Sequence, residues 1–528
     1  MQRNSVIPAW AGALAGIVAG GVALGAAQLV AGVVGGDASP VVAVGDAVVD
    51  LSPAALKEFA VAAFGVYDRV VLLGGVLVVL ALVAAGLGVL ARGAVGRGLA
   101  GVVAFGAVGL AAVLTRPGAG AVDALPTVVG VVAGMWTLSW LIGRATPSAV
   151  SSVVPSVAPE LPAVMRAGGG EPYAFDRRRL LTGAAGGVVA AGAGTLLGHG
   201  LGSRRAVDAA RVALALPAPA TPAPPLPPGT DYKLNGLTPF ITKNADFYRV
   251  DTALIVPQVD PATWTLRVHG LVDRPIEITY EDLLRRPLTE ADITLTCVSN
   301  EVGGPYAGNA RWLGARMADL LREAGLRSDA DMLLSTSADG FTCGTPLDVV
   351  MDGRDALFAV AMNGEPLPVD HGFPVRQVVP GLYGYVSATK WVVDLKVTRF
   401  DTDEAYWTPR GWAAKGPIKT QSRIDLPKPG ATLPAGRTTI AGVAWAQHTG
   451  VDAVEVRVDG GVWQQARLAA VPGPDTWRQW ALDWDATPGD HTIEVRATDA
   501  AGRTQTAERR PITPDGATGL HTVTVHTA

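Results

Sequence analysis

Cys297 ends a run of β-branched and apolar residues, Ile293-Thr294-Leu295-Thr296, and is followed by Val298-Ser299-Asn300-Glu301. That pattern predicts a buried strand closing on a turn, which presents one thiol where a site can be built. A thiolate is a soft donor suited to a transition metal, and it is also a nucleophile. The one other cysteine, Cys343, lies in Gly340-Phe341-Thr342-Cys343-Gly344. On its own residues Cys297 has four roles open to it: metal ligand, nucleophile, half of a disulfide with Cys343, or small buried hydrophobe. The ligand and disulfide roles exclude each other, because the bond would consume the sulfur. A buried free thiol is the preferred reading of Cys343.

Two cysteines in 528 residues exclude a disulfide scaffold, and they exclude iron–sulfur clusters, which usually take four ligands. No Cys-x-x-Cys-His occurs, so no c-type haem is attached. With 43 basic against 47 acidic residues the net charge is −4, and no basic stripe appears. Nucleic acid is therefore not an expected partner. A mean hydropathy of +0.29 and 64 glycines are high for a soluble protein. The excess lies almost entirely in the first 200 residues.

Five apolar runs stand at 8–34, 69–91, 98–114, 124–143 and 180–201. A spanning helix needs about 20 such residues, so the third is a little short. Buried helices of a soluble domain can also be Ala/Gly-rich, but no charge interrupts any run, which favours spanning. Arg3, Arg92, Arg97, Arg144, Arg166 and Arg177-Arg178-Arg179 fall on one side of the runs. The 35–68 loop, on the other side, carries Asp37, Asp46, Asp50 and Glu58 with only Lys57 in opposition. The positive-inside rule then puts the N-terminus in the cytoplasm and everything after residue 201 outside it. Asp176-Arg177-Arg178-Arg179-Leu180-Leu181 resembles a twin-arginine export signal, here internal, and serves equally as a positive anchor. The first four runs contain no His for a bis-His haem and no internal acid or base for a proton path; His199 stands alone in the fifth. Anchoring or assembly in membrane lipid fits these helices better than transport.

The chain reads as a transmembrane region over 1–205, a Pro/Ala-rich linker over 206–230, an α+β domain over 231–415 and a β-sandwich over 416–528. Residues 264–280 alternate like two strands around a turn, 311–325 carry helical periodicity stopped by Gly325, and 331–343 read as strand and turn. Beyond 417, short alternating strands separated by Asp-Gly and Pro-Gly-Asp turns suggest a sandwich of immunoglobulin-like size.

Two segments carry a family likeness: LTCVSNEVGG at 295–304 with NARWLGARMADLL at 309–321, and MNGEPLPVDHGFPVRQVVPGLYGYVSATKW at 362–391. Through them the outer half, roughly 235–528, resembles the sulfite oxidase family of molybdenum-cofactor enzymes. The resemblance implies that Cys297 is the thiolate on molybdenum, a molybdopterin dithiolene supplying two more sulfurs. It implies that His371 and Arg376 bind the cofactor, whose phosphate an arginine grips in bidentate fashion. Ala388, Thr389 and Lys390 match the loop that closes over the cofactor. Asn244, Tyr248 and Arg249, in ITKNADFYRVDT, match an entry motif lining the same site, and Ser337 is a further pterin contact. Cys297, Arg249 and Tyr248 are then the catalytic candidates. The C-terminal sandwich looks like the family's dimerisation domain, which implies a homodimer.

The likeness breaks at the substrate side. The family follows its ligand cysteine with Ala-Gly-Asn-Arg-Arg, whereas here Val298-Ser299-Asn300-Glu301-Val302 stands. The family's Trp-Ser-Gly-Gly-Gly turn with its arginine is replaced by Trp445-Ala446-Gln447-His448-Thr449-Gly450. A pocket short of two cations binds a dianion poorly. The expectation is a membrane-anchored, extracytoplasmic molybdopterin oxidoreductase that transfers oxygen on a small sulfur or nitrogen compound and exchanges electrons with a separate partner. The alternatives are a sulfite oxidase or dehydrogenase proper, and a cofactor-free binding or assembly protein reusing the fold.

Overall fold

The computed structural model describes residues 7–34, 38–52, 68–116, 119–146, 176–204, 207–253 and 255–528, and the chain divides into two compact units, Met1–Ala206 and Val207–Ala528. In the first unit the helices are α1 (Ala9–Val34), α2 (Pro40–Leu51), α3 (Asp68–Ala91), α4 (Val95–Leu114), α5 (Leu125–Ala145) and α6 (Arg177–Arg204). All but α2 contain segments long and apolar enough to cross a membrane. The third span is no longer short, because α4 starts at Val95 and takes Arg97 into its first turn, reaching 20 residues. The 12-residue α2 occupies a stretch read as loop and is too short to span. Small residues let the helices approach closely. A Cβ on Gly16 of α1 would lie 1.9 Å from the Ala84 carbonyl of α3, and one on Gly25 would lie 2.6 Å from that of Ala191 of α6. Large apolar side chains such as Val78, Leu82 and Leu196 point outward. Among the charges used for orientation, Arg3, Asp37, Lys57, Glu58 and Arg166 lie outside the described residues, as do the side chains of Asp50 and His199. Asp46 pairs with Arg116 at 3.1 Å.

The second unit holds an α+β domain and a sandwich. In the α+β domain the strands are β1 (Thr265–Gly270), β2 (Ile276–Thr279), β3 (Leu288–Thr296), β4 (Ala307–Arg316), β5 (Met332–Ser337), β6 (Thr342–Pro346), β7 (Leu357–Met362), β8 (Glu365–Pro366), β9 (Arg376–Val378) and β10 (Val392–Thr398). One sheet has the order β2-β1-β10-β5-β6, and the other has β3-β4-β7-β8 with β9 beside β7. Every residue of β7, Leu-Phe-Ala-Val-Ala-Met, is buried, as a continuous apolar run requires of a strand covered on both faces. Residues 311–325 correct the helical expectation. Up to Arg316 they extend β4, which pairs with both β3 and β7, and only Met317–Ala324 is helix. Ladder pairing on both edges outweighs the helical spacing there. Gly325 does stop the helix, with φ 72°.

The Pro/Ala-rich stretch is extended, but it is not a free spacer. The Ala220 and Thr221 amides donate to Leu288 O, and Glu290 N donates back to Thr221 O, so the stretch lies along the edge of β3. It satisfies edge groups that would otherwise stand open. Before it, Arg211 donates to the carbonyls of Pro366 and Leu367.

The sandwich strands are β11 (Gln421–Leu426), β12 (Thr432–Leu433), β13 (Gly436–Trp445), β14 (Val451–Val458), β15 (Gln464–Gln465), β16 (Arg467–Leu468), β17 (Arg478–Ala486), β18 (Gly489–Asp499) and β19 (His521–Thr527). They form sheets β11-β13-β17-β16 and β12-β19-β18-β14-β15 around Ile440, Val454, Trp480, Ile493 and Val523. The two outer domains share a core of Phe240, Ala307, Val443, Trp445 and Trp477. The Trp477 amide donates to Thr294 Oγ1 at 2.7 Å, so the sandwich braces β3 just before Cys297.

Candidate active site

Cys297 leaves β3 into a turn that its neighbours lock. Its amide donates to Tyr306 O at 2.9 Å, and its carbonyl accepts from Asn300 N at 3.1 Å. Asn300 Oδ1 accepts from Tyr306 N at 2.7 Å and closes the loop. Gly303 sits at φ 80° with the His521 ring where a Cβ would go, 2.2 Å away. From the sandwich, Arg423 donates to Gly304 O at 3.0 Å, and Gln447 Nε2 donates to Thr296 Oγ1 at 2.9 Å. Gln447, which replaces the family's arginine turn, thus holds the strand. Glu301 is exposed and does not line the cleft, so it is a solvated acid.

Both cysteines are buried and free, which removes the disulfide reading. Burial raises the Cys297 thiol pKa, while Ser299 hydrogen bonds and the Lys390 charge pull the other way. Cys343 is pushed up to about 11 by burial and hydrogen-bonds to Thr389, Thr345 and Ser335, behind the 388–390 loop. Among the described residues no group of three His, Cys, Asp or Glu side chains is placed to hold a metal. A metal at Cys297 would therefore bring its other donors with it.

Cys297 opens onto a cleft that is also lined by Tyr248, Ser337, Arg376, Ala388 and Lys390 from the sequence-derived set. The other members surround this lining. Asn244 donates to Met362 O, and its backbone carbonyl lies 3.2 Å from His371 Nε2. Thr389 is buried with its hydroxyl 2.7 Å from Ser335 Oγ. Arg249 is half-exposed and tied to Asp251 at 2.9 Å. Sequence reasoning missed Phe247, Asp251, Asp339, Phe341, Tyr385, Trp407 and Trp412, which complete the walls. Phe247 stacks on Tyr248 at 5.2 Å and meets Trp312 and His371 edge-on. Tyr385, Trp412 and Trp407 form a continuous aromatic face, with ring centroids 5.9 and 6.0 Å apart. The tryptophans in 401–416 were the available signal, since that stretch has no strand or helix pattern to absorb them.

Arg376 is the electrostatic anomaly. It is buried, and among the described residues no carboxylate pairs with it. Nη1 donates to His371 O at 3.1 Å, the guanidinium sits 5.0 Å from the Trp312 ring centroid, and Nε has no partner. His371 Nδ1 is likewise buried without a partner. Burial pulls Arg376 down to about 10, and burial with the nearby Arg376 and Lys390 charges pulls His371 down to about 4. The unpaired, buried Arg376 donor is costly unless an anion joins it, and His371 Nδ1, an acceptor while Nε2–H faces the Asn244 carbonyl, also waits for a partner. The set fits a phosphate-bearing group, and Gly372, at φ 111°, sits where a Cβ would come within 3.1 Å of Lys390 Cα.

Comparison with known proteins points the same way. Residues 253–407 match the oxidoreductase molybdopterin binding domain, and residues 421–495 match a bacterial Ig domain. The chain is 34% identical to mitochondrial sulfite oxidase of Mus musculus over 292 residues, 46% of this chain and 53% of that one. It is 34% identical to an uncharacterized oxidoreductase of Bacillus subtilis over 157 residues, 30% of this chain and 76% of that one. The chain spans about half the length of the mammalian relatives it matches. Among solved structures, the sulfane dehydrogenase SoxCD of Paracoccus pantotrophus is 27% identical with a TM-score of 0.48, over 54% of this chain and 81% of that one.

Proposed function

The chain, 30% identical to sulfite oxidase of Gallus gallus over 70% of that protein, belongs to the sulfite oxidase family of molybdopterin oxidoreductases, and from that premise we propose that it transfers an oxygen atom to or from a small neutral sulfur or nitrogen oxide, such as a sulfoxide or an N-oxide. Cys297 would ligate the metal, and Arg376, His371 and Lys390, with Ala388, Thr389, Asn244 and Ser337, would hold the pterin and its phosphate. When bound, that group supplies the oxygen-transfer centre and stores two electrons. The observation that carries this reading is the buried thiol lining a cleft together with the unpaired Arg376 donor, beside the unpartnered His371 Nδ1.

The rest of the site supports a neutral substrate. Burial raises the Tyr248 phenol well above its ordinary value, so it keeps its proton and can donate to an oxide oxygen. Phe341, Tyr385, Trp407 and Trp412 would pack on alkyl or aryl groups and exclude water. Sulfite turnover is the second reading, favoured by the mitochondrial sulfite oxidase relatives. The five apolar helices would anchor the enzyme in lipid with its catalytic unit outside the cytoplasm. Electrons would pass to or from a separate protein, and the sandwich would pair two copies.

The test is metal and pterin analysis of the purified chain from a cofactor-competent host, with a screen of sulfite, sulfoxides and N-oxides using an artificial electron donor or acceptor. One molybdenum per chain and turnover of a neutral oxide are expected, and Cys297→Ser should abolish both turnover and the sulfur-to-molybdenum absorption band. A chain without molybdenum and pterin would defeat the enzyme reading. A chain active on sulfite alone would replace the neutral oxide.

A further inference from the structure

Two cations of the cleft region are held by one carboxylate that no part of the cofactor chemistry requires. Asp251 is buried, its side chain 5% exposed, and it lines the cleft. Its Oδ2 accepts from Lys390 Nζ at 2.9 Å and from Arg249 Nε at 2.9 Å. Lys390 Nζ also donates to Asp370 O at 2.9 Å. Burial pulls Lys390 down to about 8 while Asp251 pulls it up, so the lysine is charged at neutral pH. The charged groups lining the cleft are Asp251, Asp339, Arg376 and Lys390, with Arg249 beside them. Arg376 and Lys390 are both assigned to the cofactor, and Lys390 is also held by Asp251. Beside Arg376, two carboxylates stand against two cations, Lys390 and Arg249, and both of these share one oxygen.

We propose that Asp251 is a specificity-determining residue, an internal counter-ion that occupies Arg249 and Lys390 and so bars small oxyanions from the cleft. The inference rests on the reading of this cleft as the substrate site for a neutral oxide. Charge-assisted hydrogen bonds to a desolvated carboxylate are strong, so an incoming dianion must displace Asp251 from both cations before it gains either. A neutral oxide needs no such exchange. Asp339 adds a second negative wall near the Phe341 ring.

The probe is sulfate, titrated into the full-length protein and read by tryptophan fluorescence, because Trp407 and Trp412 line the cleft. Wild type should show no saturable binding, whereas Asp251→Asn should bind at least about tenfold more tightly than wild type, with affinity falling as salt rises. Asp251→Glu should restore the wild-type result, and Asp251→Asn with Arg249→Gln should lose the gain. In turnover, the ratio of kcat/KM for sulfite to that for the best neutral oxide should rise at least about tenfold in Asp251→Asn. No gain in sulfate binding by the folded variant overturns the proposal. Should Asp251→Asn fail to fold, Arg249→Gln alone decides: enhanced sulfate binding in that variant would also overturn it. A gain in sulfate binding without neutral-oxide turnover in any variant would defeat the proposed reaction and leave the counter-ion role standing.

Discussion

At Arg376 the residue scale shows function and stability opposed. A buried guanidinium without a carboxylate has a reason to be there only if an anion arrives. Arg376→Met is therefore expected to stabilise the cofactor-free protein by about 1–2 kcal/mol in denaturant unfolding, while pterin content falls at least about tenfold. His371 yields a pH window of definite sign. Its ordinary value of 6.5 drops to about 4 in the fold, so the unfolded chain takes up the proton first as pH falls. Stability is full above about 6.5 and is lost progressively down to about 4, and His371→Asn should flatten that slope for the cofactor-free protein. His521, also held at about 4, leaves a residual slope of the same sign. The thiol of Cys297 was legible from its flanking residues. Asp251 was not, because an Asp two residues after an Arg reads as ordinary surface charge until a lysine 139 positions away closes on it.

At the scale of elements, the site hangs on the end of β3 and on the turn after it. The sandwich reaches that turn three times, through Gln447, Arg423 and His521. Gly303→Ala places a Cβ into the His521 ring at a positive φ, so a loss of about 2 kcal/mol or more is expected, with molybdenum content falling in parallel. Thermal unfolding and metal analysis on one preparation check both. A variant as stable as wild type would mean that the ring yields freely. Alternation announced β1, β2, β5, β6 and, in the sandwich, β13, β14, β17 and β18. The first half of 311–325 misled because Trp312, Leu313 and Ala315 satisfy a helical spacing as well as a strand's, and only pairing with β3 and β7 decides.

For the whole molecule, the membrane assignment makes a separate prediction. The chain should stay with the membrane fraction through an alkaline wash, as expected of several spanning helices. Replacing Arg177, Arg178 and Arg179 by Lys keeps the positive charge and removes the twin arginines. If export takes the twin-arginine route, protease added outside intact cells should cut the wild-type catalytic unit and spare the variant's. Equal cleavage of the two would leave those arginines as an anchor alone.

Sequence alone determined the apolar helices, the order of domains, the cysteine that faces the cleft and the family, because hydropathy, alternation and two long motifs are local properties of the chain. It also exposed the missing arginines after Cys297. Tertiary structure decided what stands in their place. Gln447 braces a strand, Glu301 faces solvent, and Asp251 holds Arg249 and Lys390 on one oxygen. Those outcomes depend on burial and on partners distant in the chain, and a charge's effect on a cleft follows from what neutralises it there.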